Sequence, residues 1–247
     1  MLDPALMPER GAAARPPVPQ RDWALFLDLD GTLLDIAATP DAVVVPGDLV
    51  TDLQAAAAAL GGALAIVSGR DLREVDRLLD PLRVPAGGEH GAVIRLPSGA
   101  RDDVALKVPS DWLEDLLRLQ ETCPGVLTEV KSHNVVAHYR SVPAYEGKVK
   151  RLASELVSRD PESFELLHAK MAVEIRPRAV TKARAVDRLM EVEPFAGRTP
   201  VFIGDDITDH DGFAAAIEHG GIALDVGMVF SGRPQEVRAW LKTIAQI

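Results

Sequence analysis

Four short apolar runs punctuate the chain, and each ends on polar residues or glycine. Trp23–Leu27 runs into Asp28, Leu64–Val67 into Ser68, Pro200–Ile203 into Gly204-Asp205-Asp206, and Gly221–Leu224 into Asp225. Apolar runs of this length without alternation suit strands buried on both faces, as in a parallel sheet. Helical patterns lie between them. One is Ala-rich from Asp48 to Leu60 and stops at Gly61-Gly62; one is amphipathic from Asp71 to Leu79 and stops before Pro81; a third runs from Gly212 to His219. Strands alternating with helices predict a doubly wound α/β sheet, whose ligands gather at the carboxyl ends of the strands. Those ends carry the aspartates and Ser68.

The pattern changes between about Asp103 and Arg178. Ser110 is placed to cap a helix with apolar positions Leu113, Leu116 and Leu117. Two β-like runs follow, Val126–Lys131 and Asn134–Arg140, with a turn at Ser132-His133. A second helix over Ala144–Ser158 precedes two more β-like runs, Phe164–His168 and Met171–Arg176. Helix, strand, strand, repeated once, predicts an antiparallel sheet with helices on one face. The expected organisation is a mobile arm over residues 1–20, an α/β core over 21–102 and 179–247, and an inserted α+β unit over 103–178.

Two acidic motifs follow buried strands. In Asp28-Leu29-Asp30-Gly31-Thr32-Leu33, the spacing of two puts both carboxylates on one side of an extended chain, and Gly31 permits a sharp turn. Such a pair binds a hard cation or divides nucleophile and acid roles, although Asp-Gly by itself is also a common turn. In Gly204-Asp205-Asp206-Ile207-Thr208-Asp209, adjacent carboxylates repel each other and a divalent cation would relieve that, while Thr208 or Asp209 is placed to cap the next helix. Ser68-Gly69-Arg70 offers a hydroxyl and free N–H groups for an anion, or an ordinary helix cap; Lys182 precedes an Ala/Arg-rich helix and, alone, reads as a surface lysine.

Taken in order, DxDGT, Ser, Lys and GDDxxD resemble the haloacid dehalogenase superfamily of phosphatases, from about Asp22 onward. The resemblance implies a Rossmann-like core in which Asp28 becomes an aspartyl-phosphate, Asp30 serves as general acid and base, and Ser68 and Lys182 hold the phosphoryl oxygens. It also implies Mg²⁺ between Asp28, the Asp30 carbonyl and Asp205, supported by Asp206. Only 37 residues separate Asp30 from Ser68, so the insert lies after the second motif. It resembles a cap that closes over the site and selects the substrate.

Gly88-Glu89-His90-Gly91-Ala92, Glu129-Val130-Lys131, His138-Tyr139-Arg140, Glu174-Ile175-Arg176-Pro177 and Pro234–Leu241 are similar to trehalose-6-phosphate phosphatases in particular. That likeness implies sugar contacts from Glu129, Lys131, Arg140, Lys170 and Glu174, and places Arg70, Glu89, His90 and Gly91 among the substrate-binding residues. Strand spacing agrees, because Glu129 and Lys131 share a face, as do Lys170 and Glu174; a solvated outer face would look the same. Ala183 stands where the family usually has Gly, and His210 where a Glu is common. A phosphatase for another sugar phosphate, a phosphomutase and a catalytically silent phosphosugar-binding module are the alternatives.

Composition narrows the partners. A net charge of −10 argues against nucleic acid, and no apolar run is long enough for a membrane span. The expected partner is a small sugar phosphate, trehalose 6-phosphate by the resemblance. Cys123, the one cysteine, excludes an internal disulfide and a Cys-based zinc site. With no secretory leader pattern, the default expectation is a cytoplasmic monomer.

Overall fold

The computed structural model describes residues 15–37, 42–169 and 171–247. Most of the arm expected over 1–20 lies outside the described residues, as does Lys170. In chain order the elements are β1 (Trp23–Leu27), α1 (Leu49–Ala59), β2 (Leu64–Val67), α2 (Leu72–Leu78), β3 (Ala86–Gly88), β4 (Val93–Arg95), β5 (Arg101–Asp103), α3 (Ser110–Thr122), β6 (Leu127–Val130), β7 (Val135–His138) and α4 (Glu146–Val157). They continue with β8 (Phe164–Ala169), β9 (Ala172–Pro177), α5 (Lys182–Met190), β10 (Thr199–Gly204), α6 (His210–Glu218), β11 (Ile222–Asp225), α7 (Val226–Val229) and α8 (Pro234–Ile244). The chain divides into two compact units, one running to Asp102 and resuming at Thr181, the other comprising Asp103–Val180.

The first unit is a seven-stranded sheet in the order β11-β10-β1-β2-β3-β4-β5. Its central strands pair in parallel, and β4 returns antiparallel to β3. Both faces are covered, which is why the strands read as unbroken apolar runs. Trp23, Leu25 and Leu27 pack with residues of α1 and α8, whereas Ala24 and Phe26 pack with residues of α5 and α6. Trp240 Nε1 also donates to the Pro17 carbonyl at 2.9 Å, so α8 ties down the chain just before β1.

The chain moves outward from β1 through β5 and then returns on the opposite side of β1 at β10. Strand order thus reverses between β1 and β10, where a doubly wound sheet opens a crevice. Leu27 pairs with Ile203, and Asp28 N donates to the Ile203 carbonyl at 3.0 Å. The motifs after the two strands therefore emerge side by side. The apolar pattern locates four of the sheet's strands and misses β3–β5, because Ala86-Gly87-Gly88 carries no large apolar side chain although it is buried. α6 begins at His210 rather than Gly212, after a 3₁₀ turn over Ile207–Asp209.

The second unit is a four-stranded antiparallel sheet in the order β6-β7-β9-β8. Val135, Ala137, Val173 and Ile175 face a core with Trp112 and Leu116 of α3 and Val149, Ala153 and Leu156 of α4. Side chains alternate along each strand, so Glu129, Val136 and Glu174, which lie opposite one another across β6, β7 and β9, fall on the other face. No helix among the described residues is long and apolar enough to cross a membrane.

Candidate active site

The loop after β1 turns back at once. Leu33 N and Leu34 N both donate to the Leu29 carbonyl, and Gly31 N donates to the Leu34 carbonyl. Gly31 has φ +81, and a Cβ there would overlap the Asp205 carboxylate. Glycine is therefore required twice, for the left-handed backbone and for the approach of the second acidic motif. The buried Thr32 hydroxyl lies 3.4 Å from both Asp28 Oδ2 and Asp205 Oδ1, joining the two motifs.

Lys182 is the centre of charge balance. It begins α5, is 2% exposed, and donates from Nζ to Asp28 Oδ1 and Asp209 Oδ1, each at 2.6 Å. Burial works against the charged amine, but Asp28 and Asp209 together hold it protonated above its ordinary range. Asp209, fully buried, also accepts from Asp205 N at 3.0 Å and Asp206 N at 3.1 Å. Burial pushes the Asp28 carboxyl up, with Lys182 opposing and Asp209 adding to the rise. Asp205 is pushed up to about 6, by burial first and then by Asp209 and Asp206.

Asp28, Asp205 and Asp209 each offer a carboxylate oxygen, and these oxygens lie within 4.8 Å of one another. One ammonium faces three carboxylates, so the cluster is two negative charges in excess when ionised. An all-oxygen donor set with that excess fits a hard divalent cation better than a soft metal.

Other expected residues are placed differently. Asp206 Oδ1 accepts from Thr208 N and Oγ1, both at 2.6 Å, and caps the 3₁₀ turn. The Asp30 carboxylate is gripped by Arg70, with Nε at 2.6 Å and Nη2 at 2.7 Å, while Arg70 Nη1 binds Glu74. Nε, Nη1 and Nη2 of Arg70 each donate to a carboxylate, which fixes the guanidinium between Asp30 and Glu74. Ser68 is buried and its Oγ accepts from Arg70 N at 3.2 Å. The Glu89–Gly91 loop is tied to the Ser68 loop, since Glu89 N donates to the Arg70 carbonyl and His90 N to the Ser68 carbonyl. Gly91, at φ +95, backs onto the Thr181 carbonyl with no room for a Cβ, so this loop abuts the start of α5.

On the second unit, Glu129 Oε2 pairs with His138 Nε2 at 3.0 Å, and this hydrogen bond holds the Glu129 carboxyl below its ordinary value. Glu174 is buried and accepts from Asn134 Nδ2. Lys131 follows β6, donating its backbone N–H to the Asn134 carbonyl at 2.9 Å, and Arg140 is exposed in the turn after β7. Asp209 is indistinguishable from a helix cap in the sequence, and Thr32 and Asn134 carry no sequence signal of a role at the site. Asp209 joins the cluster because its carboxylate turns back to accept from the Asp205 and Asp206 N–H groups, a local fold of the loop that residue spacing does not announce.

A family model described as trehalose-phosphatase matches residues 26–245. A probable trehalose-phosphate phosphatase of Sinorhizobium fredii is 41% identical over 207 residues, covering 83% of this chain and 78% of the relative. The trehalose-6-phosphate phosphatase of Escherichia coli K12 is 40% identical over 209 residues, with coverage of 83% and 77%. Among solved structures, the C-terminal domain of the C. albicans trehalose-6-phosphate phosphatase superposes with a TM-score of 0.72 at 21% identity, covering 91% of this chain and 92% of that one. That last likeness is one of fold; the two bacterial relatives and the family match carry the assignment. The chain belongs to the trehalose-phosphatase family, a family of phosphoric monoester hydrolases.

Proposed function

We propose that the chain hydrolyses trehalose 6-phosphate to trehalose and phosphate through an aspartyl-phosphate on Asp28, with Mg²⁺ as cofactor. The observation that carries the reading is the buried Asp28–Lys182–Asp209 chain beside Asp205 at the switch point of the sheet. An Asp28 oxygen attacks phosphorus, the bond from phosphorus to the sugar oxygen breaks, and Asp30 gives that oxygen a proton. Water then attacks the phosphorus of the aspartyl-phosphate and loses a proton to Asp30, freeing phosphate and restoring Asp28. Lys182 and Ser68 balance charge on the transferring group. Mg²⁺, held by Asp28, the Asp30 carbonyl and Asp205 with Asp206 supporting, would neutralise phosphoryl charge, and Asp209 adds a further carboxylate beside it. A phosphate-release screen over phosphosugars with Mg²⁺ tests the substrate. Trehalose 6-phosphate is expected to be preferred, and higher kcat/KM for sucrose phosphate or mannosyl-phosphoglycerate would replace it.

EDTA is expected to abolish turnover and Mg²⁺ to restore it; full activity in metal-free buffer would overturn the cofactor assignment. The cation also competes with a proton on Asp205. Because that carboxyl is raised, to about 6, its ionisation penalises the metal-free fold as pH rises from the unfolded value through 6. Mg²⁺ relieves a penalty that is partial inside that window and complete only above it. The Mg²⁺-induced rise in Tm is therefore expected to be larger at pH 7.5 than at pH 5, and equal rises would argue against Asp205 as a ligand.

Glu129, Lys131, Arg140, Lys170 and Glu174 are proposed to read the sugar. A hydrogen bond to a charged group contributes about 1.5–3 kcal/mol, so Glu129→Ala and Glu174→Ala are each expected to lower kcat/KM for trehalose 6-phosphate about 10- to 100-fold. Turnover of p-nitrophenyl phosphate is expected to stay near the parent value. Equal losses on both substrates would assign these residues to the fold instead.

A further inference from the structure

The second unit holds a polar atom that its own fold leaves unanswered. Asn134 is 1% exposed, and its Oδ1 is buried with no hydrogen-bond partner. The other end of the same amide is committed, since Nδ2 donates to Glu174 Oε1. That bond decides the orientation of the amide, because the Nδ2 end must face a carboxylate oxygen and Oδ1 must be the acceptor. An unsatisfied buried acceptor costs about 1–3 kcal/mol, and such groups are rare enough to need a cause.

Position supplies one. Asn134 lies just before β7, and its backbone carbonyl accepts from Lys131 N at 2.9 Å. Its side chain reaches Glu174, which stands opposite Val136 on the sheet face away from α3 and α4. Glu129 stands opposite Val136 on the other side. The unpartnered acceptor therefore lies on the same sheet face as Glu129 and Glu174, and the Nδ2 of the same amide is bonded to the Glu174 carboxylate. Carboxylates and an amide oxygen are all acceptors, and such a patch suits a ligand rich in O–H donors rather than an anion.

We propose that Asn134 is a specificity residue whose Oδ1 accepts a hydrogen bond from a sugar hydroxyl of the substrate, while its Nδ2 fixes the Glu174 carboxylate for a second hydroxyl. This rests on the reading of the second unit as the sugar reader. The arrangement discriminates by chemistry. A ligand without a hydroxyl at that point leaves Oδ1 unanswered, so its binding recovers none of the cost already present in the free protein.

The test separates a residue that touches the sugar from one that only holds Glu174. Asn134→Ala, Glu174→Ala and the double variant are assayed on trehalose 6-phosphate and on p-nitrophenyl phosphate. A neutral hydrogen bond corresponds to about a 3- to 10-fold effect. If Asn134 accepts from the sugar, Asn134→Ala is expected to lower kcat/KM for trehalose 6-phosphate by that factor even in the Glu174→Ala background. p-Nitrophenyl phosphate turnover is expected to stay within two-fold. Asn134→Ser, which keeps a short donor for Glu174, provides a second measurement should the alanine variant fold poorly. It is expected to retain Glu174-dependent binding yet lose discrimination against the monodeoxy analogue lacking the contacted hydroxyl. No added loss in the Glu174→Ala background would overturn the proposal and leave the sugar-reading role of Glu174 intact. Equal losses on both substrates would overturn it in favour of a folding role. Unchanged trehalose 6-phosphate kinetics in Glu174→Ala would instead remove the underlying reading, and the proposal with it.

Discussion

Asn at position 28 is expected to leave a folded protein with no measurable phosphatase turnover. The amide has the carboxylate's shape. Its oxygen can still accept from Lys182 Nζ, and its nitrogen can turn toward the Thr32 hydroxyl, which lies 3.4 Å from Asp28 Oδ2 in the parent. The change also removes one negative charge from a cluster that has too many, and burial already disfavours that charge. Tm is therefore expected to hold or rise slightly, while the nucleophile is gone. Loss of a nucleophile costs on the order of 10⁴–10⁶-fold in kcat. Asp30→Asn is the informative companion. p-Nitrophenolate needs no proton to leave, so this variant is expected to release one equivalent of it in a burst and then stall, since no base activates the water that attacks the aspartyl-phosphate. Aspartyl-phosphate at Asp28 should then be recoverable by quenching and peptide mapping. Steady p-nitrophenolate release without a burst, together with residual activity in Asp28→Asn, would mean that water attacks the substrate directly.

Lys182→Met is expected to damage both stability and catalysis. The methionine fills much of the same volume but leaves Asp28 and Asp209 buried without their shared counter-charge. Removing one partner of a buried ion pair costs about 3–5 kcal/mol. In a chain of this size each kcal/mol lowers Tm by about 2–4 °C, so a fall of roughly 6–20 °C is expected. The sign of its pH dependence follows from the carboxylates. Freed of Lys182, which holds its carboxyl down, Asp28 becomes harder to ionise, so the variant should recover stability as the pH falls and Asp28 takes up a proton. Saturating Mg²⁺ should recover part of the loss at neutral pH. Activity should fall by about 10²–10³-fold even where the variant is fully folded, because the cation no longer faces the transferring phosphoryl group. A variant with parental Tm at pH 7.5 would show that the cluster is not ionised as its geometry implies.

Glu89 and His90 adopt left-handed backbone conformations at φ 48 and 58, the less common choice for residues with side chains. They do so where the loop bonds back to the Ser68–Arg70 backbone and Gly91 meets the Thr181 carbonyl. The loop thus links the end of β2 to the start of α5, bringing the neighbourhoods of Ser68 and Lys182 together. The motif Gly88–Ala92 marked this stretch as functional in the sequence, but neither its strain nor its position was legible there.

Local features are legible from neighbouring residues alone. Trp23–Leu27, Leu64–Val67 and Pro200–Ile203 had to be strands covered on two faces, because each offers apolar side chains to both sides of a pleat. Gly31 had to turn the chain after Asp28, and the run of helix, strand, strand, repeated, had to make a separate sheet with one apolar face. Tertiary structure alone decided which charges meet. Lys182, which only the family resemblance marks as more than a surface lysine, is buried between Asp28, 154 positions away, and Asp209, 27 positions away. Asp206 and Asp209 are indistinguishable acids in the motif, yet one caps a turn and the other completes the buried cluster. Arg70 and Asp30, 40 apart, form a bidentate pair, and Asn134 and Glu174, also 40 apart, share a hydrogen bond. Hydrophobic periodicity is a property of neighbours along the chain and survives in any window of a dozen residues. A charge finds its partner only after strand order and register bring distant strand ends together, so pairings of this kind leave no periodic trace to read.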